Sequence, residues 1–303
     1  MKNQRSAYIY AILAVIAWSS VSTAFKLSLK FLTPLGLLLF SSLTASIFLV
    51  LINWSNGRNE SGDRHGFYTN IKLSLLPGFL NPFLYYLVLF YAYDRLRAQE
   101  AQVLNYTWAI VLAVMSIIIL KERFRVRDIV ALLISFGGVI LISSRGSFIG
   151  MKFDNPLGSI LALSSSLIWA SYWIMNMRDA RPPVCKLMYN FLCGSIFIVF
   201  NTLVRAVIGG GELFVQSPVG LVFVLGAVYV GIFEMGLTFV LWLKALERSK
   251  STSMISNLIF VTPFISLLFI ALILKESIHP ATFVGLVIII GSNAIQRWGR
   301  DER

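Results

Sequence analysis

The sequence is poor in charge and in the residues that usually carry enzyme chemistry. Only 13% of its 303 residues are charged, and it has two histidines and two cysteines; soluble domains have about 25% charged residues. It contains no His-Glu-x-x-His zinc motif, no Gly-x-Ser-x-Gly nucleophile motif and no Walker A phosphate loop. These absences argue against the common hydrolases and against ATP as a direct energy source. We expect neither a metal nor an organic cofactor.

Apolar residues make up 57% of the chain, and the mean hydropathy is +0.77. A soluble globule of this length cannot hide that much apolar surface. The apolar residues fall into ten runs, each near the 20 residues that a helix needs to cross a bilayer. We therefore predict an all-α integral membrane protein with ten transmembrane helices in the lipid bilayer. We number the runs span one to span ten: 7–27, 34–53, 74–93, 100–120, 126–144, 156–177, 184–208, 219–246, 252–274 and 280–298.

The net charge of +12 has a topological explanation. With the N-terminus inside and the spans alternating, 18 of the 26 lysines and arginines fall in the inner segments. Cytoplasmic loops of membrane proteins carry this excess. We therefore predict an inner-membrane protein with both termini in the cytoplasm, and we expect no nucleic-acid partner.

The two halves of the chain resemble each other. The tryptophan of span one, Trp18, matches Trp169 of span six at an offset of 151 residues, and Lys121-Glu122 matches Lys275-Glu276 at 154. We predict two domains of five helices each, residues 1–150 and 151–303. Because five is odd, the second half enters the membrane with the opposite orientation. Inverted repeats of this kind are typical of secondary transporters, with the binding site between the halves.

The tandem repeat resembles the EamA family of the drug/metabolite transporter superfamily over about residues 7–298. The marks are a Trp-Ser-Ser sequence in span one followed by Lys26, the paired Leu-Lys-Glu turns, and Gly236 ahead of Leu-Lys-Ala-Leu in span eight. The resemblance implies ten helices and carrier-type transport of a small metabolite through a central cavity. One departure is Ala109 in span four, the counterpart of Pro263, where the family commonly has proline. The kink of span four is therefore expected to be absent or moved.

Glu234 is the one acidic residue deep inside a span. A charge at the bilayer centre costs about 2.5–3.5 kcal/mol on insertion scales, so this carboxyl group must face a polar cavity or stay protonated. We predict that it binds a cationic group of the substrate or a coupling proton. The alternative is a protonated Glu234 that hydrogen-bonds a neighbouring helix. Its counterpart in the first half, at an offset of 153, is Asn81.

Span six carries four candidate residues on one helical face, at i, i+3, i+4 and i+7: Trp169, Tyr172, Trp173 and Asn176. Aromatic faces beside a carboxylate suit an ammonium or guanidinium group. The alternative is that these side chains belong to the helix-packing core or to an interfacial belt.

The remaining candidates are polar or aromatic side chains on other spans: Trp18, Ser22, Asn81, Tyr85, Asn105, Trp108 and Asn257. Lys26 is a candidate contact for an anionic substrate group, unless it extends to the outer interface. These residues line one cavity only if their helices converge.

We thus expect a secondary carrier that moves a small metabolite by alternating access, with an amino acid or another cationic or zwitterionic amine favoured. The alternative is a proton-coupled carrier of an uncharged or anionic metabolite, with Glu234 as the proton site. A channel or an intramembrane enzyme is disfavoured, because no filter sequence and no catalytic cluster is visible. Substrate identity, transport direction and oligomeric state leave no mark in these residues.

Overall fold

The computed structural model describes residues 3–55, 66–119, 126–143, 146, 155–209, 214–215, 221–249, 255 and 257–297. Within these ranges helices occupy all ten predicted spans, and the only extended pairing is an isolated bridge between Leu32 and Val215. Six helices are long and apolar enough to cross a membrane. The predicted all-helical membrane fold is confirmed.

The helices of the first half are Gln4–Ser28 (span one), Pro34–Ser55 (two), Gly66–Arg95 (three), Ala98–Asn105 with Trp108–Ile119 (four) and Val126–Ser143 (five). Those of the second half are Pro156–Arg178 (six), Pro183–Ile208 (seven), Leu221–Tyr229 with Val230–Leu237 and Thr238–Arg248 (eight), Asn257–Val261 with Thr262–Phe269 and Ile270–Leu274 (nine), and Pro280–Arg297 (ten). Asn155 caps span six by accepting a hydrogen bond from the Gly158 backbone N–H at 2.9 Å, which satisfies one of the free donors at a helix start.

In the first half of span one, large apolar side chains face outward and small ones face inward. On span one, Ile9, Ile12 and Ile16 are each about half exposed, whereas Ala7 and Ala11 on the opposite face are fully buried. In a bilayer, helices associate through close packing and hydrogen bonds rather than through the hydrophobic effect. The small inner faces therefore allow the helices to pack closely, and the large outer side chains meet lipid.

The packing joins the two halves. Span one packs on spans eight and nine, span two on spans seven and eight, span three on span seven, and span five on span ten. A Cβ atom on Gly194 of span seven would lie 2.7 Å from the Gly78 carbonyl oxygen of span three. Only glycine permits this approach of two backbones.

Spans three, four, eight and nine are interrupted near the centre of the bundle. Span three contains a π-helical stretch, Phe79–Leu84, in which Asn81 is non-helical. Span eight contains another, Val230–Leu237. Interruptions of this kind occur in membranes only where protein or a cavity satisfies the backbone, so they mark the region in which a polar site can form.

Span four breaks without a proline. Its first helix ends at Asn105 and its second begins at Trp108. Between them, the Thr107 hydroxyl group donates to the Leu104 carbonyl oxygen at 2.8 Å. The same hydroxyl oxygen lies 3.0 Å from Ser166 Oγ on span six. Span four is thus interrupted just ahead of Trp108 and Ala109, although the proline that the family commonly has is absent.

Candidate functional site

A cavity of about 280 Å³ lies between the interrupted helices, close to the lower end of the range of small-molecule sites. Half of its lining residues are aromatic, and they include five of the seven tryptophans of the chain. The aromatic lining residues are Trp18, Phe25, Tyr85, Tyr93, Tyr106, Trp108, Trp169, Trp173 and Trp242, and the others are Val21, Ser22, Leu89, Gln102, Asn105, Leu112, Glu234, Leu246 and Ile259.

Glu234 is the one residue of this lining with a formal charge when ionised. Its side chain is 9% exposed, and its Oε1 accepts a hydrogen bond from the Tyr86 hydroxyl group at 3.0 Å. No hydrogen bond to Oε2 is present among the described residues. Behind it, a Cβ atom on Gly231 would lie 2.5 Å from the Ser41 carbonyl oxygen of span two. This close packing fixes the π-helical stretch and so positions the carboxyl group beside the cavity.

Aromatic rings form a continuous wall that crosses from the first half to the second. Tyr85 stacks on Trp169, with ring centroids 4.5 Å apart, and Trp169 packs on Phe239 at 5.8 Å. Phe239 meets Trp18 edge to face at 5.6 Å, and Trp18 lies 5.5 Å from Trp242. The wall holds its rings in place before any ligand arrives, so a ligand meets a rigid aromatic surface.

Several neutral polar groups of the lining are hydrogen-bonded to other polar side chains. Ser22 Oγ and Tyr93 Oη lie 2.7 Å apart, and Asn105 Nδ2 donates to Ser165 Oγ at 2.8 Å. Gln102 Oε1 accepts from the Ser266 hydroxyl group at 2.8 Å. The Gln102 Nε2 group has no acceptor among the described residues, which makes it a free neutral donor beside the cavity.

Hydrogen bonds between the two halves bridge one end of the cavity. The Gln99 amide group donates to the Ser277 carbonyl oxygen and accepts from the His279 backbone N–H, both at 2.9 Å. The Ala98 backbone N–H also donates to Glu276 Oε1, at 3.4 Å. The start of span four is thereby held against the segment between spans nine and ten.

At the opposite end of the cavity, the described hydrogen bonds join helices that lie on the same side of the cavity. The Asn3 backbone N–H donates to the Arg248 carbonyl oxygen at 3.0 Å, which joins spans one and eight. Arg178 Nη2 donates to the Ile119 carbonyl oxygen at 3.1 Å, which joins spans six and four. Between these two groups of helices, no hydrogen bond spans this end within the described part of the chain.

Arg181, in the turn between spans six and seven, is buried at this same end. It donates to the Asn70 carbonyl oxygen at 3.0 Å and to Ser74 Oγ at 2.9 Å, both on span three. It also pairs with Asp179 at 2.7 Å. Partial burial on its own would raise the pKa of Asp179, but the hydrogen bonds and charge of Arg181 outweigh it and hold that pKa below its usual value.

The structure brings eight of the predicted candidates together in the lining: Trp18, Ser22, Tyr85, Asn105, Trp108, Trp169, Trp173 and Glu234. Others lie outside it. Tyr172 is buried and stacks on Trp169 at 5.6 Å, and Asn176 donates to the Tyr172 carbonyl oxygen at 3.1 Å. The Asn81 side chain is fully buried.

Two further candidates are not part of the described lining. Lys26 interacts electrostatically with the carboxylates of Glu276, Asp94 and Glu100, so protein carboxylates already compensate part of its charge. The side chain of Asn257 lies outside the described residues.

Sequence reasoning missed several residues at the cavity. Leu89 and Tyr93 follow Tyr85 at i+4 and i+8, and Gln102 precedes Asn105 by three. Helical periodicity from the known candidates would have found them. Tyr86, which binds Glu234, gave no comparable signal, because its partner is 148 residues away in the sequence.

Comparison with known proteins yields a match to the EamA-like transporter family over residues 5–144 and again over 156–295. An uncharacterized transporter of Archaeoglobus fulgidus is 23% identical over 93% of this chain and 94% of its own length. The transporter YyaM of Bacillus subtilis, also uncharacterized, is 22% identical over 82% of this chain and 79% of its own.

The aromatic amino acid exporter YddG of Ancylobacter novellus is 23% identical over 70% of this chain and 71% of its own length. A solved structure titled "Crystal structure of protein" superposes with a TM-score of 0.64 and 19% identity, and the match covers 97% of this chain and 96% of that one. At that identity the structural match speaks for the fold alone.

Proposed function

The chain belongs to the EamA-like transporter family, which confirms the resemblance seen in its sequence, and on that premise we propose that it is a secondary carrier of a small amine-bearing metabolite. The observation that carries this proposal is the position of Glu234, the one charged group in an aromatic cavity enclosed by helices of both repeats. Transporters built from two repeats bind their substrates between them.

In the proposed mechanism the Glu234 carboxylate binds the ammonium group of the substrate. The aromatic wall accommodates the apolar body and attracts the cation to its ring faces. Transfer of a cation from water into the cavity is unfavourable unless an opposite charge compensates it. Glu234 supplies that charge, so an amine binds here in preference to a neutral molecule of the same shape.

The asymmetry between the two ends of the cavity supports alternating access. The bridged end contains Gln99, at the start of span four, and the distribution of basic residues supports a periplasmic position for it. The end with Asn3 and Arg248 is then cytoplasmic, as are both termini, and the membrane is the inner one. While the hydrogen bonds of Gln99 are intact, we expect the substrate to reach the cavity from the cytoplasmic side. Opening requires the hydrogen bonds of Gln99 to break.

The name of one relative supports an aromatic or apolar body for the substrate. YddG of Ancylobacter novellus is an exporter of aromatic amino acids. Nine aromatic lining residues suit a ring-bearing amine. The second candidate function, proton-coupled transport of an uncharged or anionic metabolite, uses the same Glu234 as a proton site.

Counterflow in proteoliposomes tests the proposal. Glu234→Gln preserves shape and hydrogen bonding but removes the charge. Loss of a buried charged partner costs about 2–5 kcal/mol, so we expect amine affinity to fall about 30-fold or more and exchange to stop. Asp94→Asn, which removes a partly exposed carboxylate on span three, is the matched control and should exchange at the wild-type rate. The melting temperature reports on folding.

The readouts separate the two candidate functions. If amine exchange persists in Glu234→Gln at the wild-type rate, Glu234 is not the anchor and the proposal is wrong. If Glu234→Gln still exchanges a neutral substrate but a pH gradient no longer drives accumulation of that substrate, the proton-coupled function replaces the amine-carrier proposal.

A further inference from the structure

The charged residues that line the cavity restrict which amines can bind. Its described lining contains Glu234 and no lysine, arginine or histidine. A carboxylate on the ligand would therefore enter a site whose one charge has the same sign. Two like charges in a site of low dielectric constant repel each other strongly, and the ligand would also lose the hydration of its carboxylate.

Lys26 does not compensate for this. It lies one residue after Phe25, at the bridged end, where its charge interacts with Glu276, Asp94 and Glu100. The charges of three protein carboxylates already act on this one ammonium group. A substrate carboxylate would have to compete with them for the same cation.

The neutral donors of the lining are largely committed as well. The Asn105 amide donates to Ser165, and the Ser22 and Tyr93 hydroxyl groups bind each other. A carboxylate needs several donors at once to replace its water. Among the described contacts, the Gln102 Nε2 and Trp173 Nε1 groups are left without an acceptor, and neutral N–H donors suit a carbonyl or hydroxyl oxygen rather than a charged group.

From this arrangement we infer that the cavity selects organic monocations with an apolar or aromatic body and excludes ligands that carry a free carboxylate. The substrates are then amines or amine-bearing amides and esters, not amino acids. The inference rests on the proposed carrier function and narrows its substrate class. The cation lies at Glu234 against the aromatic wall, and a neutral oxygen of the ligand accepts from Gln102.

A series of probes with one phenyl ring and different charges tests this on the wild-type protein. The monocations are phenethylamine and L-phenylalanine amide, the zwitterion is L-phenylalanine, the anion is phenylacetate, and the neutral probe is phenylacetamide. Each is titrated against the full chain in nanodiscs at a pH at which the amines are protonated. Quenching of tryptophan fluorescence reports binding, because five tryptophans line the cavity.

We expect the two monocations to bind at least tenfold more tightly than L-phenylalanine and phenylacetate. L-Phenylalanine amide is the sharpest comparison, because it has the same ring and amine as L-phenylalanine but a neutral carboxamide in place of the carboxylate. In Glu234→Gln the monocations should lose at least tenfold in affinity, and in Asp94→Asn they should not. If Glu234→Gln folds poorly, Glu234→Asp keeps the charge and should keep the same order of affinities.

The outcomes distinguish a failure of the proposed carrier function from a failure of the inferred exclusion of carboxylates. Should L-phenylalanine bind as tightly as its amide and exchange in a Glu234-dependent manner, the carrier proposal stands and the exclusion of carboxylates is wrong. Should phenylacetamide bind as tightly as the monocations, both the selection for cations and the anchoring role of Glu234 are wrong. Absence of binding by both monocations would also overturn the inference.

Discussion

Spans three and eight occupy equivalent positions in the two repeats, and their comparison shows how one fold provides two different environments. Asn81 and Glu234 are 153 residues apart, and each lies in a π-helical stretch at the centre of its span. Asn81 is fully buried, and neither atom of its amide group has a hydrogen-bond partner among the described residues. Glu234 lines the cavity and accepts a hydrogen bond from Tyr86. The repeat provides the interruption in both halves, and the residue placed there determines the chemistry.

The same offset relates two glycines. A Cβ atom on Gly78 would lie 2.5 Å from the Asn190 carbonyl oxygen of span seven, and one on Gly231 would lie 2.5 Å from the Ser41 carbonyl oxygen of span two. Spans seven and two are themselves counterparts in the two repeats. Each interrupted helix is therefore fixed by the same contact, a glycine against a neighbouring backbone, three residues before its polar residue.

The largest effect is expected from a carboxylate at the buried position. Asn81→Glu places a charge, or a larger protonated acid, at a fully buried position. An unpaired buried charge costs several kcal/mol, so we expect the folded protein to be lost from detergent extracts. Size-exclusion chromatography and thermal melting measure this.

The reciprocal change is the control. Glu234→Asn removes a charge from a cavity and should leave a folded protein with impaired exchange. Equal yields of folded protein for Asn81→Glu and Glu234→Asn would contradict the distinction between a fully buried position and a position that lines the cavity.

The glycine pair should give the next largest effect. Gly78→Ala and Gly231→Ala each force a backbone apart, and overpacking of this kind costs about 1–3 kcal/mol. We expect similar losses in melting temperature for both. Amine binding should weaken more in Gly231→Ala, because the shift moves the Glu234 carboxyl group, and fluorescence titration measures it. Gly137→Ala, where a Cβ atom would meet nothing within 4 Å, should change neither quantity.

The comparison also shows what the sequence could and could not predict. Runs of apolar residues predicted all ten spans, and the constant offset predicted that Asn81 and Glu234 occupy equivalent places. The opposite orientation of the halves stays a prediction, which superposition about an axis in the membrane plane would test. Local sequence did not distinguish the buried Asn81 from the cavity-facing Glu234, because the difference depends on which neighbouring helices surround each span.

Span four illustrates the same limit. Its break at Tyr106 and Thr107 has no proline and is stabilised by Thr107 and by Ser166 of span six. A contact between residues 59 positions apart leaves no mark in the local sequence. Trp242 likewise reaches the cavity only because spans one and eight pack together.

A smaller effect is expected at the bridged end of the cavity. Gln99→Ala removes two hydrogen bonds that join the halves, and each contributes about 0.5–1.5 kcal/mol. We expect the balance to move toward a conformation open at this end by roughly 5- to 150-fold. In Gln99→Ala, a cysteine introduced at Ser22 should react faster with a membrane-impermeant thiol reagent added from outside. The protein with the same cysteine and with Gln99 intact is the reference. An unchanged rate of thiol modification would contradict the proposed bridge.

The smallest effect concerns the other end of span three, which the second half does not duplicate. Ser74 binds Arg181, whereas its counterpart, Ala227, has no polar side chain. Asp179 pairs with Arg181, and its pKa is held below the usual carboxyl value because the hydrogen bonds and charge of Arg181 outweigh the opposing effect of partial burial.

A lowered pKa stabilises the folded state at pH values above the ordinary carboxyl value of about 4, and this stabilisation is lost as the pH falls through the lowered value. Asp179 is partly exposed, so we expect a contribution of roughly 1 kcal/mol or less. Asp179→Asn removes it, so the melting temperatures of wild type and Asp179→Asn should differ at pH 7 and converge as the pH falls below about 4. A difference that stays constant with pH would mean that Asp179 acts through packing and not through its charge.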